Sequence, residues 1–199
     1  MDTSQIHYWL YSGTNAQVVN TYYDQSQFGA DLLDHYPMFI QENIRKRVSS
    51  ITLRNSYSDP SNEYTSATHY SYDIQGNVKT LINQNRDLPF VQQCKRVDYS
   101  FDLISGKVNE VKYQPTKLDR FFYKYQYDAD NRLTRAFSSA DKIHWNKDAQ
   151  YYYFKHGPLA RVEIGGEGQQ GTDYAYTIQG WLKTINGMAD KADSSAPFN

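Results

Sequence analysis

Three aspartates, Asp73, Asp102 and Asp128, each stand directly after an aromatic residue and recur at similar intervals. Carboxylates in a regular pattern can supply general-acid and general-base chemistry. Here, however, each is followed within a few residues by glycine or asparagine. That is turn composition, and a carboxylate at a turn entrance accepts from backbone N–H groups two residues on. Turn closure is therefore the role expected of Asp73, Asp102 and Asp128. The other candidate chemistries are thinner. His7, His35, His69, His144 and His156 fall at unrelated intervals with no HxxxH or HExxH grouping, so no metal site is expected. No GxSxG stretch is present to raise a serine nucleophile. GGEGQQG at 165–171 lacks the Lys-Ser/Thr of a phosphate loop and reads as a connection. Cys94 is the only cysteine, which rules out an intramolecular disulfide, and its neighbours Gln93 and Lys95 include no evident activating group. The chain reads as non-catalytic, with no cofactor.

The aspartates belong to a longer repeat. Tyr70-Ser71-Tyr72-Asp73 returns as Tyr99-Ser100-Phe101-Asp102, Tyr125-Gln126-Tyr127-Asp128, Tyr151-Tyr152-Tyr153-Phe154 and Tyr174-Ala175-Tyr176-Thr177. Both aromatic slots are filled in every copy, in a chain that is 16% aromatic, so chance does not account for the pattern. Each copy is followed by Gly76, Gly106, Asn131, Gly157 or Gly180, the residue types most willing to take positive φ. An apolar pair then follows: Val78 and Leu81, Val108 and Val111, Leu133 and Ala136, Leu159 and Val162, Leu182 and Ile185. Each copy reads as a β-hairpin built on a type I turn with a left-handed residue at its end. The apolar pair is spaced by three, where a regular strand returns to one face every second residue. A bulge in the second arm would reconcile the two.

The tyrosines in these slots carry a second possibility. Tyr70, Tyr72, Tyr99, Tyr125, Tyr127, Tyr151, Tyr153, Tyr174 and Tyr176 form rows of large rigid rings that could stack on sugars. Cross-strand aromatic pairing explains the same rows more economically, because the slots are filled in every copy.

Around the array the chain is less regular. Residues 1–46 read as an irregular segment holding a degenerate first hairpin, with Asn20–Asp24 as its first arm, Val48 and Ile51 in its second, and an insertion from Gln25 to Glu42. A helical turn is expected around Phe28 to Leu33, ended by Pro37. Residues 47–187 are the repeat array, interrupted by a turn-rich loop at 55–66, and 188–199 read as a disordered tail. The formal net charge of −1 gives no electrostatic pull toward nucleic acid, and Arg45-Lys46-Arg47 reads as a solvated strand entrance. The N-terminus has no signal-peptide pattern, and no apolar run is long enough to be a transmembrane helix.

YSYDIQGNV at 70–78 and YQYDADNRL at 125–133 resemble the YD repeat of the RHS family. YYYFKHGPLAR at 151–161 and DYAYTIQGWLKTING at 173–187 are similar to the segment just upstream of the core domain in bacterial RHS repeat-associated proteins. The resemblance covers Arg47 to Gly187. It implies an all-β fold in which consecutive hairpins join into one extended, curved antiparallel sheet, an open fragment of an RHS shell. In that family the shell encloses a C-terminal toxin domain and is closed by a core domain with an autoproteolytic aspartate motif. The implied function is a non-catalytic structural segment of a secreted or cell-surface polymorphic toxin, with carbohydrate or cell-surface binding as the alternative. The implied partners are the remainder of the RHS polypeptide, including core domain and toxin cargo, or adjacent β-repeats. No Asp-Pro-x-Gly-Leu run is present, and Asp59-Pro60 leads into Ser61 and Asn62, so self-cleavage is not carried over. The expectation is a fragment of a longer chain whose open sheet edges make it prone to associate.

Overall fold

The computed structural model describes residues 17–26, 30–54 and 64–186. Readings that fall on 1–16, on most of the 55–66 loop and on the 188–199 tail lie outside the described residues. The described chain is almost entirely β. Its strands are β1 (Val18–Tyr23), β2 (Val48–Arg54), β3 (Ser66–Tyr72), β4 (Val78–Asn85), β5 (Cys94–Phe101) and β6 (Val108–Tyr113). They continue as β7 (Phe121–Tyr127), β8 (Leu133–Ser139), β9 (Asn146–Tyr153), β10 (Leu159–Ile164), β11 (Gln170–Tyr176) and β12 (Leu182–Ile185). All twelve lie in one sheet in sequence order, with antiparallel pairing. The all-β expectation holds.

The spacing-by-three of the apolar pairs has the cause the sequence demanded. In β3–β4, Tyr70 lies opposite Leu81 and Tyr72 opposite Val78, which leaves Lys79 as an extra residue in the second arm. The same bulge leaves Thr134 extra in β8, Ala160 in β10 and Lys183 in β12. Even the degenerate first hairpin obeys it, with Tyr23 opposite Val48, Thr21 opposite Ile51 and Ser49 extra. Each bulge turns the second arm by one residue, so both members of the apolar pair share a face with the two aromatics. Each of these five hairpins therefore has one face that carries its apolar pair and an opposite, more polar face.

Two compact units form. The first holds the described residues up to Tyr99 together with Tyr113–Pro115; the second holds Ser100–Lys112 and the described residues from Thr116 on. In the first unit the polar face is covered by the insertion. Its helix α1 (Ala30–His35) delivers Leu32, and the following turn delivers Tyr36 and Phe39, onto Ile82 of β4 and Cys94 of β5. Backbone ties fix the rest of the insertion: Tyr72 N–H donates to Glu42 O at 3.0 Å, and Asn43 Nδ2 donates to Tyr72 O at 3.0 Å. The helix sits slightly further along than the expected turn around Phe28 to Leu33, and it ends before Pro37, whose ring would clash with a preceding helical turn.

In the second unit the polar face carries charge pairs. Arg161 bridges Glu163 at 3.0 Å and Asp173 at 2.8 Å across three neighbouring strands' worth of side chains, and the Tyr152 hydroxyl donates to Glu163 at 3.0 Å. One boundary differs from the sequence reading. The connection expected over 165–171 is shorter, because Gln170 and Gly171 pair with Ile164 and Glu163 and open β11. Ladder hydrogen bonds are made by backbone, so strand character there is invisible in side-chain composition.

Candidate functional site

The candidate surface is built at the hairpin turns. At the β3–β4 turn, Gly76 N–H donates to Asp73 O at 3.2 Å and Asp73 N–H to Asn77 O at 2.9 Å. The same two bonds recur at Asp128, Phe154 and Thr177. The residue at the turn exit is left-handed in each case: φ is 96° at Gly76, 61° at Asn131, 113° at Gly157 and 82° at Gly180. Gly106 of the six-residue β5–β6 connection has φ 67°. At Gly76, φ 96° favours glycine, and a Cβ there would come within 2.6 Å of the Arg47 guanidinium, the movable end of that side chain.

The three aspartates all engage their own turns. Asp73 accepts from Asn77 N–H at 2.8 Å and Asn77 Nδ2 at 2.9 Å. Asp102 accepts from Ser105 N–H at 2.8 Å and from its hydroxyl at 2.7 Å. Asp128 accepts from Asp130 and Arg132 N–H groups at 3.0 and 2.9 Å and from Arg132 Nε at 2.7 Å. These bonds hold the Asp102 and Asp128 carboxyls below the ordinary carboxylate range, through Ser105 and through Arg132 respectively. For Asp73, partial desolvation pushes upward, but the bonds from Asn77, Gly76 and Gln75 outweigh it and the net direction is down. Carboxylates held ionised by their own turns are poorly suited to donating a proton near neutral pH.

The aromatic slots carry a device that spacing alone does not announce. The second-slot tyrosine of one hairpin donates its hydroxyl to the carbonyl of the first apolar residue in the preceding hairpin's second arm. Tyr72 does so to Val48, Tyr127 to Val108 and Tyr153 to Leu133, each at 2.8 Å. The cation before that apolar residue covers the same ring, with Arg47 5.6 Å from the Tyr72 centroid and Arg132 4.7 Å from that of Tyr153. The β2–β3 ladder runs from Leu53–Ser66 to Ser50–His69, and nearer the turn the Tyr72 N–H and C=O bond Glu42 and Asn43 of the insertion instead. Desolvation raises the Tyr72, Tyr127 and Tyr153 hydroxyls above the ordinary tyrosine range. A signal for this device was present in the sequence: four of the five second slots hold Tyr, which has a donor, and only Phe101 does not.

Tyr70, Tyr99, Tyr125, Tyr127, Tyr151, Tyr153, Tyr174 and Tyr176 are all half-buried, and Tyr72 is buried.

One constellation that sequence reasoning passed over lies inside the first unit. Ser50 Oγ is 2.9 Å from His69 Nδ1, and His69 Nε2 is 3.4 Å from Gln84 Oε1, which also accepts from Tyr64 at 2.8 Å. An amide oxygen only accepts, so the proton belongs on Nε2 and Ser50 donates to Nδ1. The pair has the polarity of an activated serine, yet Ser50, His69 and Gln84 are fully buried. Gln41 from the insertion closes over them, donating to Ser49 O and to Tyr70 O at 3.0 Å. A buried polar group must be paired, and this network pairs several without access for a substrate.

Two grooves lie in the second unit. One, about 670 Å³, is lined by Trp145, Lys147, Asp148 and Gly165; the other, about 450 Å³, by Asp102, Ser105, Tyr125 and Asn131. The second groove holds the Ser105 hydroxyl against the Asp102 carboxylate at 2.7 Å, a bond made within the β5–β6 connection. Among the described residues no group of three or more His, Cys, Asp or Glu side chains could hold a metal, and no helix is long and apolar enough to cross a membrane.

Comparison with known proteins adds little. No protein-family model matches the chain, and no curated protein matches it. Among solved structures, a variant of the Photorhabdus luminescens Tc holotoxin pore is similar over 85% of this chain, at 13% identity and a TM-score of 0.43. The match covers 10% of that chain, so this chain spans about a tenth of its length.

Proposed function

We propose that the chain is a non-catalytic scaffold, a run of YD-type hairpins that forms part of the sheet of an RHS-like protein. The carrying observation is the repeated seam: three tyrosines, in the β3–β4, β7–β8 and β9–β10 hairpins, donate to three equivalent carbonyls at the same distance. A side chain committed to joining one hairpin to the next is working on architecture. In this reading the aspartates, glycines and Asn131 close turns, the aromatics join hairpins, the buried Ser50–His69 pair joins β2 to β3, and Gln41 holds the insertion to both. By resemblance, the parent protein is secreted or displayed at the cell surface, and the remainder of its shell, core domain and toxin cargo are the partners.

Carbohydrate binding ranks second, because the rings it would use are half-buried and three of their hydroxyls are already engaged. Thermal melts and glycan-array binding of Tyr72→Phe and Tyr153→Phe separate the two. Each substitution removes one hydroxyl from a carbonyl and is expected to cost about 1 kcal/mol, a lowered melting temperature with no glycan signal in the parent or the variants. Specific glycan binding by the parent that is lost in these variants would reverse the order.

A further inference from the structure

In the first unit the polar face is covered by polypeptide, with Leu32, Tyr36 and Phe39 of the insertion against Ile82 and Cys94. In the second unit the same face of β7, β8 and β9 carries a different set of side chains. Lys124 of β7 lies opposite Phe137 of β8, and Phe137 lies opposite Lys147 of β9. One step toward the β7–β8 turn, Gln126 lies opposite Arg135 and Arg135 opposite Gln150. Directly opposed residues share a face, so Lys124, Arg135 and Lys147 stand on one side of three neighbouring strands, around Phe137. Lys124 and Arg135 are exposed, and Lys147 and Phe137 are half-buried.

Among the described residues none of these three cations is ion-paired. The Lys124 ammonium lies 5.8 Å from the Trp145 ring centroid, and Lys147 donates to Gln150 Oε1 at 3.2 Å. Neighbouring carboxylates are engaged elsewhere. Asp148 accepts from the Ser138 hydroxyl at 2.8 Å, and Glu163 accepts from Arg161 and from the Tyr152 hydroxyl, each at 3.0 Å. By contrast Lys112, Arg132 and Arg161 of the same unit each lie within 3.0 Å of a carboxylate. Three unneutralised charges on one patch set up a positive potential that an anion relieves. The groove of about 670 Å³ shares Trp145 and Lys147 with this patch, which gives an apolar side chain a seat beside the charges.

We propose that the polar face of β7, β8 and β9 docks an acidic polypeptide segment, its carboxylates on Lys124, Arg135 and Lys147 and one apolar anchor residue against Trp145. Charge complementarity selects the acid, and the first unit shows the corresponding face of its own sheet covered by a chain segment through apolar side chains. Strands stand about 4.8 Å apart, so the backbones at Lys124 and Lys147 are about 10 Å apart, the reach of about three residues of extended chain. Carboxylates at positions i and i+3 of the segment fit the two lysines. A nucleic acid draws its affinity from many phosphate contacts, and three cations on a chain of net charge −1 supply few. The proposal rests on this patch alone and stands whether or not the chain serves in a shell.

Fluorescence anisotropy of a labelled peptide, Gly-Glu-Trp-Leu-Glu-Gly, with the full chain tests it at about 20 mM salt, where screening is weak. The peptide should bind, and raising the salt to about 300 mM should weaken it. K124E/K147E should weaken binding roughly tenfold or more, and should instead bind the peptide that has Lys in place of both Glu. K124Q/K147Q, which adds no new charge, should lose roughly fivefold and reads the same contact if the reversed pair does not fold. Replacing Trp-Leu of the peptide by Ser-Gly should also weaken it, whereas K155E, at an exposed turn residue outside the patch, should bind as the wild type does. Far-UV circular dichroism melts check that each variant keeps its sheet. A wild-type chain that does not bind the peptide, or binding that both lysine double variants leave unchanged, overturns the proposal. So does tighter binding of a single-stranded oligonucleotide or of heparin that these variants abolish, which would assign the patch to another polyanion.

Discussion

At the scale of single residues, the repeat divides its work between two kinds of titrating group. Asp102 and Asp128 are ionised by the turns they close, and Tyr72, Tyr127 and Tyr153 are kept protonated by the seams they bridge. The signs follow from linkage. The aspartates have folded pKa values below their unfolded ones, so near pH 4 the unfolded chain binds more protons. Their contribution is full above about pH 4, the unfolded carboxylate value, and is lost as pH falls through the lower folded value. The tyrosines are shifted upward by desolvation, so the folded chain holds protons the unfolded chain has released. Their contribution is full below about pH 10 and is lost as pH rises beyond it. The midpoint of urea unfolding should therefore fall on both flanks. Tyr153→Phe should soften the alkaline fall, and Asp128→Asn the acidic one. If either flank is unchanged by its substitution, that residue is not the linked group.

At the scale of elements, the bulge decides which side chains meet. Thr134 is the extra residue of β8, and its hydroxyl donates to Gln126 O at 3.1 Å, as Ser49 donates to Tyr22 O at 3.2 Å in the first hairpin. Deleting Thr134 would remove the bulge and leave Leu133, Arg135, Ala136 and Phe137 opposite Tyr127, Gln126, Tyr125 and Lys124 in an unbroken ladder. The expected result is amide-exchange protection kept across β7 and β8; its loss there would mean that the bulge itself is needed to hold the register. Hairpins, turn residues and bulges were legible in the sequence because they follow from neighbours a few residues apart, such as Tyr125, Asp128, Asn131 and Leu133. The insertion's docking was not, since Leu32 meets Ile82 fifty residues on and only the folded chain brings them together. Nor was the Ser50–His69–Gln84 network, whose members lie on three separate strands. The tyrosine seam was half-legible: the preference for Tyr over Phe is in the sequence, but the acceptor carbonyl is not.

At the scale of the molecule, a sheet whose strands follow sequence order makes most of its contacts between neighbours, and stability in such arrays is close to a sum of local terms. The first unit departs from this by adding a second layer, in which the fully buried Leu32 joins Tyr36, Phe39, Ile82 and Cys94 on the polar face. The second unit draws on its seams and on surface charge pairs such as Arg161 with Asp173. Leu32→Ala removes the centre of that second layer and should cost about 2–5 kcal/mol within the first unit. Native-state hydrogen exchange should locate the loss. Protection should drop in β3 and β4 beneath the insertion, and β9 and β10 should keep most of theirs, because their aromatic–aliphatic pairs and the Tyr153 seam are made without Leu32. An equal drop in all four strands would show that the chain unfolds as a single cooperative block, and the additive picture of the array would have to be given up.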